Sequence, residues 1–139
     1  MAAAPADDLD RGGYEVLDRG TCLALLALGG TGRVGVSVDA LPVILPVHFV
    51  FADHVVQFRT LIGSTLGRAT REAVIAFETD GVDDQQRHWS VAITGVARHL
   101  PSGGRPGNGL QRVAVGPDLI SGRRETGTSA QDGRGMLHT

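Results

Sequence analysis

A chain of 139 residues with 42 % apolar and 20 % charged side chains has material for one soluble domain with a core, and for little beyond it. A net charge of −2 argues against a broad nucleic-acid surface, and no apolar run approaches the roughly 20 residues that a membrane-spanning helix needs. The single cysteine, Cys22, excludes an intrachain disulfide and multi-cysteine metal sites; all 13 basic residues are arginine, which removes lysine Schiff-base chemistry.

Residues 1–12 show no periodicity and are expected to be disordered. They carry no basic segment followed by an apolar one, so no signal peptide is read and a cytoplasmic protein is the default expectation. Asp18 is a good N-cap, and a helix is predicted from there to about Leu28, with Cys22, Leu25 and Leu26 on one face and Gly29-Gly30 as its stop. Cys22 on that face reads as a small core residue, since no cation nearby in sequence would activate it.

Residues 32–38 alternate, with Val34, Val36 and Val38 on one side and Arg33, Gly35 and Ser37 on the other, the pattern of a half-buried strand. A turn at Asp39-Ala40 leads to a strand over 41–51. Its inner face is Val43, Leu45, Val47, Phe49 and Phe51; its other face is Pro42, Ile44, Pro46, His48 and Val50. Prolines cannot donate to a ladder, so this strand is expected at an edge, bulged, or interrupted near Pro46. After a turn at Ala52-Asp53, residues 54–60 form a strand with Val56 and Phe58 inward and Gln57 and Arg59 outward.

A short helix is predicted at about 64–71, then a strand from Ala73 to Asp80 and an acidic, polar turn over 81–87. A long strand follows from His88 to about Leu100, with Gly95 in its middle read as a bulge or bend. Residues 101–109 are a Gly/Pro-rich loop, 111–115 a last strand, and 117–124 a final turn or short helix. The domain is placed at 13–124 and a disordered tail at 125–139. The fold class is therefore mainly β with flanking helices: a six- to seven-stranded antiparallel barrel, without the glycine fingerprint of a dinucleotide-binding α/β fold.

Arg59-Thr60 at a strand end, followed by Gly63-Ser64-Thr65 at a helix start, is a combination that suits a phosphate: a guanidinium fork, hydroxyls and backbone N–H groups. Glu78 and Asp80 read as a solvated strand end. His54, His88 and His99 lack ligand spacing with acidic partners, so no metal site is predicted. Arg123-Arg124 reads as a surface pair. No Gly-x-Ser-x-Gly nucleophile elbow occurs.

The order of Gly-Arg-Val-Gly-Val-Ser-Val (32–38), Leu-Pro-Val-His-Phe-Val-Phe (45–51), Phe-Arg-Thr (58–60), Gly-Ser-Thr-Leu (63–66), Ala-Phe-Glu-Thr-Asp (76–80), Trp-Ser-Val (89–91) and Ile-Ser-Gly-Arg-Arg (120–124) resembles the pyridoxamine 5′-phosphate oxidase-like family of split barrels. It is closest to the small actinobacterial-type members. The resemblance implies a homodimer with FMN in each of two interfacial clefts. Arg59, Thr60, Ser64 and Thr65 would then hold the flavin phosphate, and Val47, His48, Trp89 and Ser90 would lie nearer the ring and ribityl chain. It further implies an FMN-dependent oxidoreductase passing hydride between a nicotinamide or small organic substrate and the flavin. A deazaflavin or haem in the same cleft, the latter on His48 or His54, and a flavin-holding protein without turnover are the alternatives. Thr65 departs from relatives that carry lysine there as a second cation, and Arg68 is the nearest residue in sequence to replace it. The arginine–histidine substrate signature of the vitamin B6 enzymes is absent after Arg124.

Overall fold

The computed structural model describes residues 13–101 and 109–126. The calls of disorder at 1–12 and beyond 126, and most of the 101–109 loop, lie outside the described residues. The elements are β1 (Tyr14–Val16), α1 (Arg19–Leu26), β2 (Gly30–Val38), β3 (Leu41–Ala52), β4 (Val55–Leu61), α2 (Thr65–Ala69), β5 (Ala73–Val82), β6 (His88–Leu100), β7 (Leu110–Val115) and β8 (Leu119–Glu125). The antiparallel sheet runs β1-β8-β6-β5-β2-β3-β4-β7, and a further β6–β7 pairing closes the six strands from β2 to β7 into a barrel. Closure leaves those six strands without a free edge along their paired lengths. No described helix is long and apolar enough to cross a membrane.

The inward parity of each strand is the one its apolar residues dictate. Val34 and Val36 of β2, Val47 and Phe49 of β3, Val56 and Phe58 of β4, Ile75 and Phe77 of β5, and Val91 and Ile93 of β6 are all buried in one core. Phe49 and Phe77 meet edge to face with ring centroids 4.8 Å apart, an arrangement that suits the ring quadrupoles. Two hairpins turn through two residues each, Asp39-Ala40 and Asp53-His54, all four at positive φ, which matches the twist of the strands they join.

Helix α1 is capped by the Asp18 carboxylate, which accepts from the Thr21 N–H at 2.8 Å. The helix lays Cys22 and Leu26 on the core. Gly122 of β8 is the seat for Cys22, because a Cβ there would stand 2.5 Å from the thiol sulfur. The Cys22 thiol is 1 % exposed, and burial pushes its pKa up, so it stays protonated and packs as a small apolar group.

Four expectations change. Strand β3 is neither bulged nor interrupted at Pro46; its register against β2 is unbroken from Leu41 to Phe49. The edge reading survives in part: β4 pairs with β3 only at Phe49–Ala52, so among the described residues 41–48 have one neighbouring strand. Gly95 does not bulge, for β6 keeps one register with β5 from His88 to Ala97. It marks the point where the other side of β6 changes partner, from β8 (through Thr94) to β7 (from Ala97), and where the Gly116 carbonyl crosses over it. The segment 117–124 is not a turn or helix but holds strand β8, whose ladder with β6 runs from Leu119 to Arg124. Glu125, placed in the tail by sequence, ends β8, is buried, and accepts the His88 N–H at 2.7 Å.

Candidate functional site

An open groove of about 440 Å³ lies on the outer surface of β3, β4 and β7, lined by His48, Phe49, Val50, Gln57, Phe58, Arg59 and Arg112. Strand alternation supplies its polar residues: His48 and Val50 on the outer face of β3, Gln57 and Arg59 on that of β4. Closure of the barrel supplies the last, since β7 pairs with β4 in a register that sets Arg112 directly opposite Arg59. Arg112 donates from Nη2 to the Gln57 Oε1 at 3.0 Å and from Nη1 to the Pro101 carbonyl at 3.4 Å. Arg59 has no hydrogen-bond or ion-pair partner among the described residues and is exposed. Among the described residues no carboxylate lines the groove. In a chain of net charge −2, this is a locally cationic hollow with an apolar floor.

The sequence-predicted residues divide. His48 and Arg59 share the groove. The His48 ring is exposed, with Nδ1 at 3.5 Å from the Thr31 hydroxyl. Thr60 follows Arg59 and therefore points the other way, 8 % exposed, where its hydroxyl lies 3.1 Å from that of Ser64. Ser64 is the N-cap of α2: its oxygen accepts from the Gly67 N–H at 3.0 Å and donates to the Leu61 carbonyl at 2.7 Å. Thr65 opens α2 and is exposed. Arg68 turns back on its own loop and donates to the Gly63 carbonyl at 2.5 Å.

Val47 is 8 % exposed and belongs to the core beneath the groove. Trp89 is also a core residue, its indole lying against Gly81 across the β5–β6 ladder. Ser90 sits between Asp80 of β5 and Arg123 of β8, half-buried and outside the groove. Within one copy of the chain, Trp89 and Ser90 do not meet Arg59 in the groove. His54 occupies the tip of the β3–β4 hairpin and is not among the lining residues.

Sequence reasoning missed Arg112 and treated Glu78 and Asp80 as merely solvated. These carboxylates anchor a polar network on the outer surface of β2, β5 and β6. Arg33 Nε donates to Glu78 Oε1 at 3.0 Å, and its Nη2 bridges Glu78 and, at 3.1 Å, Asp80. Asp80 also lies 3.0 Å from His88 Nε2. Among the described residues no group of three or more His, Cys, Asp and Glu side chains is placed to hold a metal ion.

The hydrogen bond from His88 and the Arg33 guanidinium hold the Asp80 carboxyl below the usual carboxylate range. A depressed carboxyl adds stability that is complete above its ordinary value of 3.8 and is lost as pH falls through the lower folded value. The side chain is 40 % exposed, so solvent screening limits the contribution to about 0.5 kcal/mol. Urea unfolding of wild type and Asp80→Asn is therefore expected to show a constant gap from about pH 7 to 5 that narrows below about pH 4. A gap that widens in acid would contradict this assignment.

Residues 18–124 match the family described as pyridoxamine 5′-phosphate oxidase. The protein Rv0080 of Mycobacterium tuberculosis is 38 % identical over 90 residues, which cover 60 % of this chain and 59 % of that protein's length. The FAD-binding protein of Mycobacterium smegmatis superposes with a TM-score of 0.67 at 34 % identity, over 80 % of this chain and 97 % of that one. The FAD- and haem-binding protein of the same organism shares the fold, with a TM-score of 0.66 at 17 % identity over 83 % of this chain and 74 % of that one. The split barrel is thus the architecture of this chain, and the chain belongs to the pyridoxamine 5′-phosphate oxidase-like family.

Proposed function

We propose that this protein is a flavin-dependent oxidoreductase in which the groove over β3, β4 and β7 receives the phosphate-bearing tail of FMN or FAD. The observation that carries the reading is Arg59: a guanidinium in a groove without carboxylates and without a partner among the described residues. A phosphate supplies the missing counter-charge, and a charge-assisted hydrogen bond of that kind contributes roughly 1.5–3 kcal/mol. The FAD named for the 34 % identical mycobacterial protein supports a flavin and brings the larger form beside FMN.

A bound flavin supplies hydride acceptance and donation, so the chain needs only to bind, orient and shield it. Arg59 would hold the phosphate. His48 and the backbone of β3 would lie along the ring. Ser64 and Thr60 brace the loop after β4 from within, whereas Thr65 is exposed.

We propose further that two copies of the chain pack together. Ile44 and Val50 of β3, Val74 of β5 and Val96 of β6 are respectively 72 %, 57 %, 67 % and 41 % exposed, an apolar sheet surface of the kind that marks an interface. A flavin carrier without turnover is the second reading, supported by a groove whose lining offers one histidine and no carboxylate as proton-transfer groups.

Purified protein mixed with micromolar FMN or FAD is expected to retain the flavin spectrum through gel filtration at the mass of a dimer. Arg59→Gln should weaken flavin binding about tenfold to a hundredfold. Retention of neither flavin rejects the cofactor assignment. Retention without bleaching by any reduced nicotinamide, under anaerobic conditions, selects the carrier reading.

A further inference from the structure

We infer that Arg112 forms, with Arg59, a two-cation clamp selective for a diphosphate, so that the groove prefers a flavin bearing two linked phosphoryl groups over one bearing a single phosphate. The inference rests on the flavin reading above and adds the residue and the ligand class.

Arg59 and Arg112 are opposite partners in the β4–β7 ladder, where side chains leave the sheet about 5 Å apart. Like charges so placed repel, and among the described residues nothing acidic lines the groove to offset them. One member of the pair, Arg112, is nonetheless held in position, between the two strands that flank β7. Gln57, diagonal to Arg112 on the same face of the ladder, accepts from its Nη2 at 3.0 Å, and the Pro101 carbonyl lies 3.4 Å from Nη1. Gln57 is itself braced, donating from Nε2 to the Ala52 carbonyl at 3.3 Å.

One guanidinium is therefore fixed by one bond from each Nη, with its remaining N–H groups available, across the ladder from a second that has no partner among the described residues. A single phosphate satisfies one such fork. Two forks side by side match two phosphoryl groups joined through one oxygen, each taking a planar pair of donors. The second cation expected at position 65 from the family resemblance is supplied here by a different strand. Arg68, the other candidate, is turned toward the Gly63 carbonyl.

The test compares wild type, Arg112→Gln and Arg112→Lys by flavin fluorescence titration with riboflavin, FMN and FAD at low salt. Inorganic pyrophosphate and phosphate serve as flavin-free probes in thermal unfolding. The expected order for wild type is FAD tightest and riboflavin weakest. Arg112→Gln should lose about tenfold to a hundredfold for FAD and less than about threefold for riboflavin, with Arg112→Lys recovering part of the loss. Pyrophosphate should raise the melting temperature of wild type more than phosphate does, and the difference should vanish in Arg112→Gln.

In the ligand-free protein Arg112→Gln should melt no lower than wild type, because a repulsive pair has been relieved; a residue of purely structural value would lower it. Wild-type protein that binds FAD no better than FMN, or an Arg112→Gln variant that keeps full FAD affinity, overturns the clamp while leaving the flavin reading intact. Wild type that binds none of the three flavins but responds to pyrophosphate through Arg112 overturns the flavin reading and leaves the clamp standing.

Discussion

A Phe77→Ala variant is expected to lose about 3–5 kcal/mol of folding stability, the range for deleting a buried aromatic ring. Phe77 is 1 % exposed and sits edge to face against Phe49. On its other side the ring occupies the space above Gly32, where a Cβ would stand only 2.5 Å from its Cε1. The ring thus joins β5 to β2 and β3 across the barrel interior. In urea the transition midpoint should fall with the slope nearly unchanged. A loss below about 1 kcal/mol would mean that the site collapses freely and that the ring does not tie these strands together.

Gly95→Ala is the second large effect, from overfilling rather than emptying. A Cβ at Gly95 would fall inside the van der Waals envelope of the Gly116 carbonyl oxygen, in the chain that crosses over β6 between β7 and β8. That obstacle is backbone and cannot rotate aside, so the cost should reach or exceed about 3 kcal/mol, the upper end for overpacking. Gly35→Ala provides the control, because its new methyl would stand 3.7 Å from the Ala76 Cβ, an ordinary contact. Thermal melts should therefore show a large drop for the first substitution and little for the second. Equal effects would place the origin in glycine's strand propensity and not in the crossing at Gly116.

The contrast between these two glycines also shows what could be read from the chain itself. The alternation of Val34, Val36 and Val38, and of Val43 through Phe51, is local, and it identified the inner faces of β2 and β3 correctly. Strand β8 escaped notice for a physical reason. Its central inward position is Gly122, made small so that Cys22 can pack there, and the apolar beat that announces a strand is missing where the helix docks. Its ladder with β6 is nonlocal, so no hairpin turn between neighbours betrays it. The continuous register at Gly95 was illegible for a similar reason: a glycine inside a strand signals a close approach of backbone, but not which backbone.

At the site, Arg59 was legible because it ends a strand with the outward parity. Thr60 was grouped with it although adjacent residues in a strand face opposite ways, and that alternation alone would have turned Thr60 toward the interior. Arg112 was not legible. It reads as one arginine in a short strand after a glycine-rich loop, and only closure of the barrel sets it beside Arg59. The same holds for Trp89 and Ser90, whose distance from the groove depends on where β6 lies in the sheet and not on anything in the tripeptide that contains them.

The seat of Cys22 has a practical consequence. The chain has a single sulfhydryl, and it lies sealed beneath α1 against Gly122 and Leu17. An alkylating reagent can reach it only when that layer lifts or the whole chain unfolds, so labelling faster than global unfolding records the local opening. Followed by intact mass over time, with and without ligand, the labelling rate becomes an internal clock for the breathing of the α1–β8 flank. That flank lies outside the closed six-strand ring, and its excursions can be timed without introducing a probe.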